Sequence, residues 1–342
     1  MERRTFLQLA ALGVSSLPSA KLAFGREAPE RIMTVLGPIP ARRLGQTLMH
    51  EHILTDFIGA DQLTPGRYDP QEAFQKALPH LQKLKSLGGD TLVECTPEHI
   101  GRDVELLRRL SKASGVHIIA STGIYGAAGD KFVPRFAYSE TADQLALRWV
   151  REFEDGIPPA EIRPGIIKIG VDGAPLSEID DKWAAAAARA HRRTGMVIAS
   201  HTVAGAAAFA QFEVLRGKGM EPSAFIWVHA QAETDTNFHR RAAELGAWVE
   251  FDGIAPDSVA KHVDLVLAMK HAGFLHRVLV SQDAGWYHVG EPGGGEFRGY
   301  DALFTLFVPA LRKAGASASD ISTLLVRNPQ QALTLRPHDE AK

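Results

Sequence analysis

Residues 166–201 read IIKIGVDGAPLSEIDDKWAAAAARAHRRTGMVIASH, and the order of patterns within this stretch decides the fold. It opens on the apolar run Ile166-Ile167-Lys168-Ile169. An amphipathic segment follows over 176–194, stops at Gly195, and gives way to Val197-Ile198-Ala199-Ser200, which ends on His201. Short continuous apolar runs suit parallel strands buried on both faces. A glycine just past a helix tolerates the left-handed conformation that terminates it. The stretch therefore predicts one strand–helix–strand unit.

The same rhythm extends in both directions. Further strands are predicted at 47–49, 91–94, 117–120, 225–228, 247–251 and 278–281. Helices are predicted over 70–87, 103–114, 204–218, 236–245 and 259–272, followed by Gly88, Gly115, Gly219, Gly246 and Gly273. Eight strands in strict alternation with helices predict an α/β protein of the (β/α)8 TIM-barrel type, one domain over residues 33–336. The rival is a doubly wound open sheet, which usually carries a Gly-rich phosphate loop after its first strand. Neither G-x-G-x-x-G nor G-x-x-x-x-G-K-[ST] occurs. Two long connections, 125–164 and 286–300, follow strands and so should overhang the barrel mouth, where such folds place their active sites.

Composition narrows the function classes. With 45% hydrophobic and 23% charged residues in a chain of 342, disorder is excluded. A formal net charge of −2 offers no bulk attraction to nucleic acid or anionic membrane. The single cysteine, Cys95, permits no internal disulfide and reads as a small buried side chain. At the N-terminus, Arg3-Arg4 precede Thr5-Phe6-Leu7 and an apolar run over 7–17, with small residues at Ser19, Ala20 and Ala23. This layout resembles a twin-arginine signal peptide over residues 1–25, predicting a periplasmic or secreted protein. The run is shorter than the roughly 20 residues a spanning helix needs, so no stable membrane insertion is expected after signal removal.

The chemistry-bearing residues fall at one repeated place, the ends of the predicted strands. His50 and His52 flank Glu51 after the first strand, and residues two apart on an extended chain share a face. Lys168 lies in the fourth strand, while His201, His229 and Asp283 end the fifth, sixth and eighth. Five of eight strands thus deliver a ligand-type side chain to the same end, which predicts a metal site. Taken alone, Lys168 reads as a lysine that snorkels out of the barrel or pairs with a carboxylate.

The ordered set His50-Glu51-His52, Lys168, His201, His229 and Asp283 resembles the phosphotriesterase family of the amidohydrolase superfamily. Local wording agrees over 33 to the end: Thr34-Val35-Leu36-Gly37-Pro38-Ile39, Leu48-Met49-His50, Gly101-Arg102-Asp103, Val280-Ser281-Gln282-Asp283 and Asn328-Pro329. The resemblance implies two divalent metal ions, with zinc as the expected identity. His50, His52 and Asp283 would hold the more buried ion, and His201 and His229 the more exposed one. Lys168 would bridge them as N6-carboxylysine. It further implies a metal-bridging hydroxide as nucleophile and Asp283 as the catalytic proton acceptor.

Departures from the family pattern bear on substrate. Asp252 is followed by Gly253, where organophosphate- or lactone-hydrolysing relatives commonly carry His or Arg, and 230–233 reads Ala-Gln-Ala-Glu in place of an acidic pair. The leading expectation is hydrolysis of a small-molecule lactone or carboxylic ester. Organophosphate or other phosphoester hydrolysis is the alternative, then amide hydrolysis, then a non-catalytic periplasmic metal-binding protein. Trp286, Tyr287, His288 and Arg298 are expected to contact substrate, with Arg102 and Arg135 as further cations at the mouth. By analogy with the family a homodimer is expected, with 132–138 contributing to the contact.

Overall fold

The computed structural model describes residues 30–336, so the signal-like residues 1–25 lie outside the described residues. A short antiparallel hairpin, β1 (Arg31–Thr34) and β2 (Gly37–Pro40), comes first. The barrel begins with β3 (Gln46–Thr55), followed by α1 (Pro70–Ser86), β4 (Gly89–Glu94) and α2 (Val104–Ser114). The third barrel strand is broken at Ala120 into β5 (His117–Ile119) and β6 (Ser121–Thr122). After α3 (Arg135–Ser139) and α4 (Ala142–Glu154) come β7 (Ile166–Gly170), α5 (Glu178–Thr194), β8 (Val197–His201) and α6 (Gly205–Gly217). The chain continues through β9 (Phe225–Val228), α7 (Thr236–Glu244), β10 (Trp248–Phe251) and α8 (Val259–His271). The eighth strand is also in two pieces, β11 (Val278–Val280) and β12 (Gly285–His288), and α9 (Val308–Lys313), α10 (Ala318–Ser322) and α11 (Asn328–Leu333) complete the order.

Strand pairing runs β12-β3-β4-β5 in one sheet and β11-β10-β9-β8-β7-β6 in the other, all parallel. The two split strands join the sheets into a ring. On one side β5 pairs with β4 and β6 with β7. On the other, β11 pairs with β10 and β12 with β3, while Asp283 N–H donates to the His50 carbonyl (3.0 Å) and His52 N–H to that of Ala284 (2.9 Å). The result is the eight-stranded TIM barrel expected from the sequence.

Side-chain alternation sorts the core into two layers. Ile167, Ile169, Ile198, Val249 and Phe251 pack outward with the helices, whereas Ile166, Val197, Ala199, Ile226 and Trp248 fill the barrel interior. Ile32, Ala41 and Leu333 join the inner group, so the hairpin and α11 close the lower end. The helices start where the sequence supplies an acceptor. Asp69, Asp103, Thr141, Ser177 and Asp235 each cap a first-turn N–H.

The sequence pattern places 286–288 in a loop, but the segment is strand. Gly285 makes this possible: at φ +99° it approaches β3 so closely that a Cβ there would lie 1.7 Å from the His52 carbonyl oxygen. Glu51 seals the same seam. Its fully buried carboxylate accepts from Ser281 Oγ (2.7 Å), Gln282 N (3.0 Å) and Ala284 N (2.7 Å). Removing it strands three buried donors. Glu51→Ala is expected to lower unfolding stability by about 3 kcal/mol or more in urea denaturation. An unchanged midpoint would show that the seam is held by other contacts.

Candidate metal centre

The six residues picked out at the strand ends converge at one end of the barrel, around a cavity of about 370 Å3 that His50, His52, Lys168, His201, His229 and Asp283 all line. The imidazoles form a chain, with ring centroids 5.2 Å apart for His52–His50, 5.0 Å for His50–His229 and 4.4 Å for His229–His201. Met49 packs into the barrel interior, yet the next residue, His50, also faces inward. A register shift between Leu48 and Glu51 reconciles the two, because a bulge re-aims the side chains after it. His229 (φ 63°) and Asp283 (φ 49°) adopt left-handed backbone conformations that non-glycine residues rarely take, a strain found where geometry is functionally fixed.

Hydrogen bonds set the tautomers. Thr96 Oγ1 donates to Glu94 Oε1 (2.5 Å) and so accepts from His52 Nδ1 (2.8 Å), which leaves the Nε2 lone pair free. His229 Nδ1 donates to Asp252 Oδ1 (2.6 Å), and His50 Nδ1 lies 3.4 Å from Asp252 Oδ2. Asp252 is itself held by Gln231 Nε2 (2.6 Å) and accepts from the His229 backbone N–H (3.0 Å). Burial opposes ionisation of Asp252, but the charge and hydrogen bonds of His229 and His50 outweigh it, holding this carboxyl well below the usual range. Burial, then the neighbouring Lys168, pushes His50 down to about 3. Burial, then His229, pushes His201 down to about 2. Both rings are therefore neutral near pH 7, the form a metal requires.

The free atoms then point at one another. His50 Nε2 and His52 Nε2 are 3.3 Å apart, and Asp283 Oδ1 lies 3.1 Å from the latter and 3.7 Å from the former. A tetrahedral ion with bonds of about 2.1 Å separates its ligand atoms by about 3.4 Å. Lone pairs at this spacing repel, and among the described residues only His50 Nε2 has a donor close by, Lys168 Nζ at 3.2 Å, so a cation among the three would relieve them. The donor set therefore fits a divalent ion, and His50, His229 and Asp252 form a second group with compatible spacing. Lys168 is 1% exposed, with Nζ 3.2 Å from His50 Nε2. Among the described residues no carboxylate pairs with it, and it does not snorkel to solvent, contrary to how a lone strand lysine reads.

The walls are aromatic. Trp286 packs 4.6 Å from the His52 ring, Phe57 lies 5.5 Å from Trp286 and 6.0 Å from Phe132, and Tyr125 lies 5.9 Å from Phe132. Tyr125 Oη also sits 3.0 Å from His201 Nδ1. Of the expected substrate contacts, only Trp286 lines the cavity. Tyr287 is buried and donates to Glu72 (3.1 Å), pointing to the opposite face of β12. His288 stacks on Trp286 at 5.9 Å, behind the wall. Arg298 staples its own loop, donating to the carbonyls of Asp283 (3.1 Å) and Gln282 (3.2 Å). Arg102 is buried in a two-pronged pair with Glu152 (2.7 Å for each prong), and Arg135 pairs with Asp61 (3.1 Å). Phe132, assigned to a dimer contact, is 5% exposed and faces this cavity. A larger cleft of about 480 Å3 lies beside loop 63–68, but its charged groups pair with one another, Arg67 with Asp56 and Arg102 with Glu152.

Sequence reasoning missed Asp252, Tyr125 and Thr96 as parts of the centre. Asp252 ends the seventh strand, and the strand-end rule that selected Asp283 would have selected it too. The other two carried no comparable signal.

A TIM barrel whose strand ends converge four histidines, a lysine and two aspartates on one cavity defines a class of barrel hydrolase able to hold metal. The chain belongs to the phosphotriesterase family, whose sequence profile matches residues 30–333. It is 31% identical to a phosphotriesterase homology protein of Escherichia coli over 292 residues, covering 84% of this chain and 97% of that protein. It is 23% identical to an aryldialkylphosphatase of Saccharolobus solfataricus (86% and 96% covered). A phospho-furanose lactonase of Mycoplasmopsis agalactiae is 28% identical (91% and 94% covered).

Because Asp252 orients His229 by a hydrogen bond and lies 3.4 Å from His50 Nδ1, Asp252→Asn should leave the fold intact and weaken metal retention about 10- to 100-fold. Metal content after competition with a graded chelator measures this. Retention equal to the parent would remove Asp252 from the centre.

Proposed function

We propose that this chain is a binuclear metal-dependent hydrolase acting on a lactone or other carboxylic ester. The observation that carries the reading is the convergence of His50 Nε2, His52 Nε2 and Asp283 Oδ1, with no hydrogen-bond partner for Asp283 Oδ1 among the described residues. His50, His52 and Asp283 would hold one ion, His201 and His229 the other. Two such ions, when bound, would supply Lewis acidity that polarises an acyl oxygen and makes water a nucleophile near neutral pH. Zinc suits a His-rich set with carboxylate.

Lys168 supports the binuclear reading because its buried Nζ meets His50 Nε2 (3.2 Å) and, among the described residues, pairs with no carboxylate. An ammonium between two cations is repulsive, whereas its neutral amine can add to carbon dioxide. That reaction forms an N–C bond, releases one proton and leaves an anionic carbamate with two donor oxygens. Asp283 supplies the proton acceptor. Burial opposes its ionisation, but His50 and the adjacent His52 hold its carboxyl far below the usual range, so it stands ionised beside the donor cluster.

Ester carbon is favoured over phosphorus because the arginines that could steady a phosphoryl centre are engaged elsewhere, Arg102 with Glu152 and Arg298 with backbone carbonyls. The aromatic walls and small volume suit a compact, partly apolar acyl compound. The Arg3-Arg4 leader supports export to the periplasm or beyond, and no described helix is long and apolar enough to cross a membrane.

The test is metal analysis together with turnover of a panel of lactones, aryl esters and phosphotriesters. About two equivalents of metal per chain are expected, with chelator-sensitive lactone or ester turnover. Asp283→Asn should lower kcat by about 10^2 to 10^4 while metal stays bound. Fewer than one equivalent under metal-replete conditions would refute the binuclear centre. Turnover confined to phosphotriesters would refute the ester assignment.

A further inference from the structure

Apart from the metal-ligand set, one charged side chain among the described residues lines the cavity: Lys131, beside Phe132 of the aromatic wall. Its ammonium has no carboxylate or other acceptor within hydrogen-bond reach among the described residues, and its nearest polar-attractive contact is the Phe132 ring, 5.5 Å from Nζ. The three arginines considered for the mouth, Arg102, Arg135 and Arg298, are all engaged by acids or carbonyls. Lys131 is also held in place. Its carbonyl accepts from Ala60 N (3.0 Å), and its stem runs along Gly59, where an added Cβ would lie 3.4 Å from Lys131 Cγ and 3.6 Å from Cε.

The turn that presents it is costly. Ala128 (φ 63°) and Asp130 (φ 59°) are both left-handed without being glycine. The Asp172 carboxylate holds this turn by accepting from Ala128 N (2.7 Å) and Gly129 N (2.9 Å). Backbone strain kept in place by a dedicated carboxylate, around a cation with nothing to pair with, points to a ligand that supplies the missing charge.

We propose that Lys131 is a specificity-determining residue, and that the substrate carries a carboxylate remote from the bond that is cleaved. This rests on the mouth being an ester-hydrolysing site. One ammonium balances one negative charge, which fits a carboxylate better than a dianionic phosphate. The apolar part of the substrate lies against Phe57, Phe132 and Trp286, its carboxylate faces Lys131, and its acyl group faces Asp283.

A matched pair tests this: a γ-lactone with a pendant carboxylate, and the same lactone with a carboxamide. The metal-loaded full chain should prefer the carboxylate about tenfold in kcat/KM, through KM, a modest factor because Lys131 is solvent-exposed. Lys131→Met keeps the stem and should abolish that preference while leaving the carboxamide rate within about twofold. Lys131→Arg should restore most of it. A second pair, cyclopentanones bearing the same two groups, cannot be hydrolysed and is read by calorimetry. The carboxylate ketone should bind about tenfold tighter to the parent, and the two should bind equally to Lys131→Met. Equal discrimination by parent and Lys131→Met in either pair overturns the proposal. If neither lactone turns over, the ester reading fails, and the ketone pair still decides the role of Lys131.

Discussion

Everything at the mouth depends on how the first barrel strand meets the eighth. Glu51 lies between two metal-ligand candidates, yet it points away from them into the seam, where three donors from 281–284 converge on its carboxylate. Burial pushes its pKa up to about 8, while the three donors pull the other way. The arrangement is a trade between desolvation and satisfied hydrogen bonds. Its effect is geometric: β3 is locked to the eighth strand in the one register that sets His52 Nε2 3.1 Å from Asp283 Oδ1. The His-x-His pair is thus a ligand pair and a closure device at once, with alternation assigning the two tasks to opposite faces of one strand.

The strength of the sequence signal varied with the physics behind each element. The βαβ rhythm was legible because parallel strands buried on both faces must be continuously apolar, and because glycine marks helix ends. The ligand-type residues were legible because the fold places chemistry at strand ends, and the structure brings the six selected side chains around one cavity. What could not be read was the partner of each polar group. Arg102 and Arg298 look free in a linear chain, and only the fold shows Glu152 and two carbonyls filling their donors. Tyr287 and Trp286 are adjacent on β12 and point to opposite faces, Trp286 into the cavity and Tyr287 to Glu72. Reading 286–288 as loop concealed that constraint, because β12 is formed by its pairing with β3 and not by any apolar run of its own.

Asp252 illustrates a further limit. Judged by its neighbour Gly253, it marks a departure from relatives; judged by its contacts, it is the anchor of the centre. Its two oxygens serve His229 and His50, and Gln231 braces it from the segment that also departs from the family pattern. The changes at 231 and 253 are therefore coupled to the support of the ligands as well as to the shape of the mouth.

The same support decides what can compete for the site. A proton is the metal's main rival for an imidazole lone pair. Burial and neighbouring positive charge drive His50 to about 3 and His201 to about 2, so protonation of these rings needs strong acid. Burial equally disfavours any bare charge, so the ionised carboxylates of Asp252 and Asp283 need opposite charge nearby. Among the described residues that compensation is partial: Asp252 has its imidazole partners, while Asp283 Oδ1 has no hydrogen bond. A divalent ion at the convergent lone pairs would complete it. The charge that would balance the donor set is thus the same charge that the proposed ester hydrolysis would use.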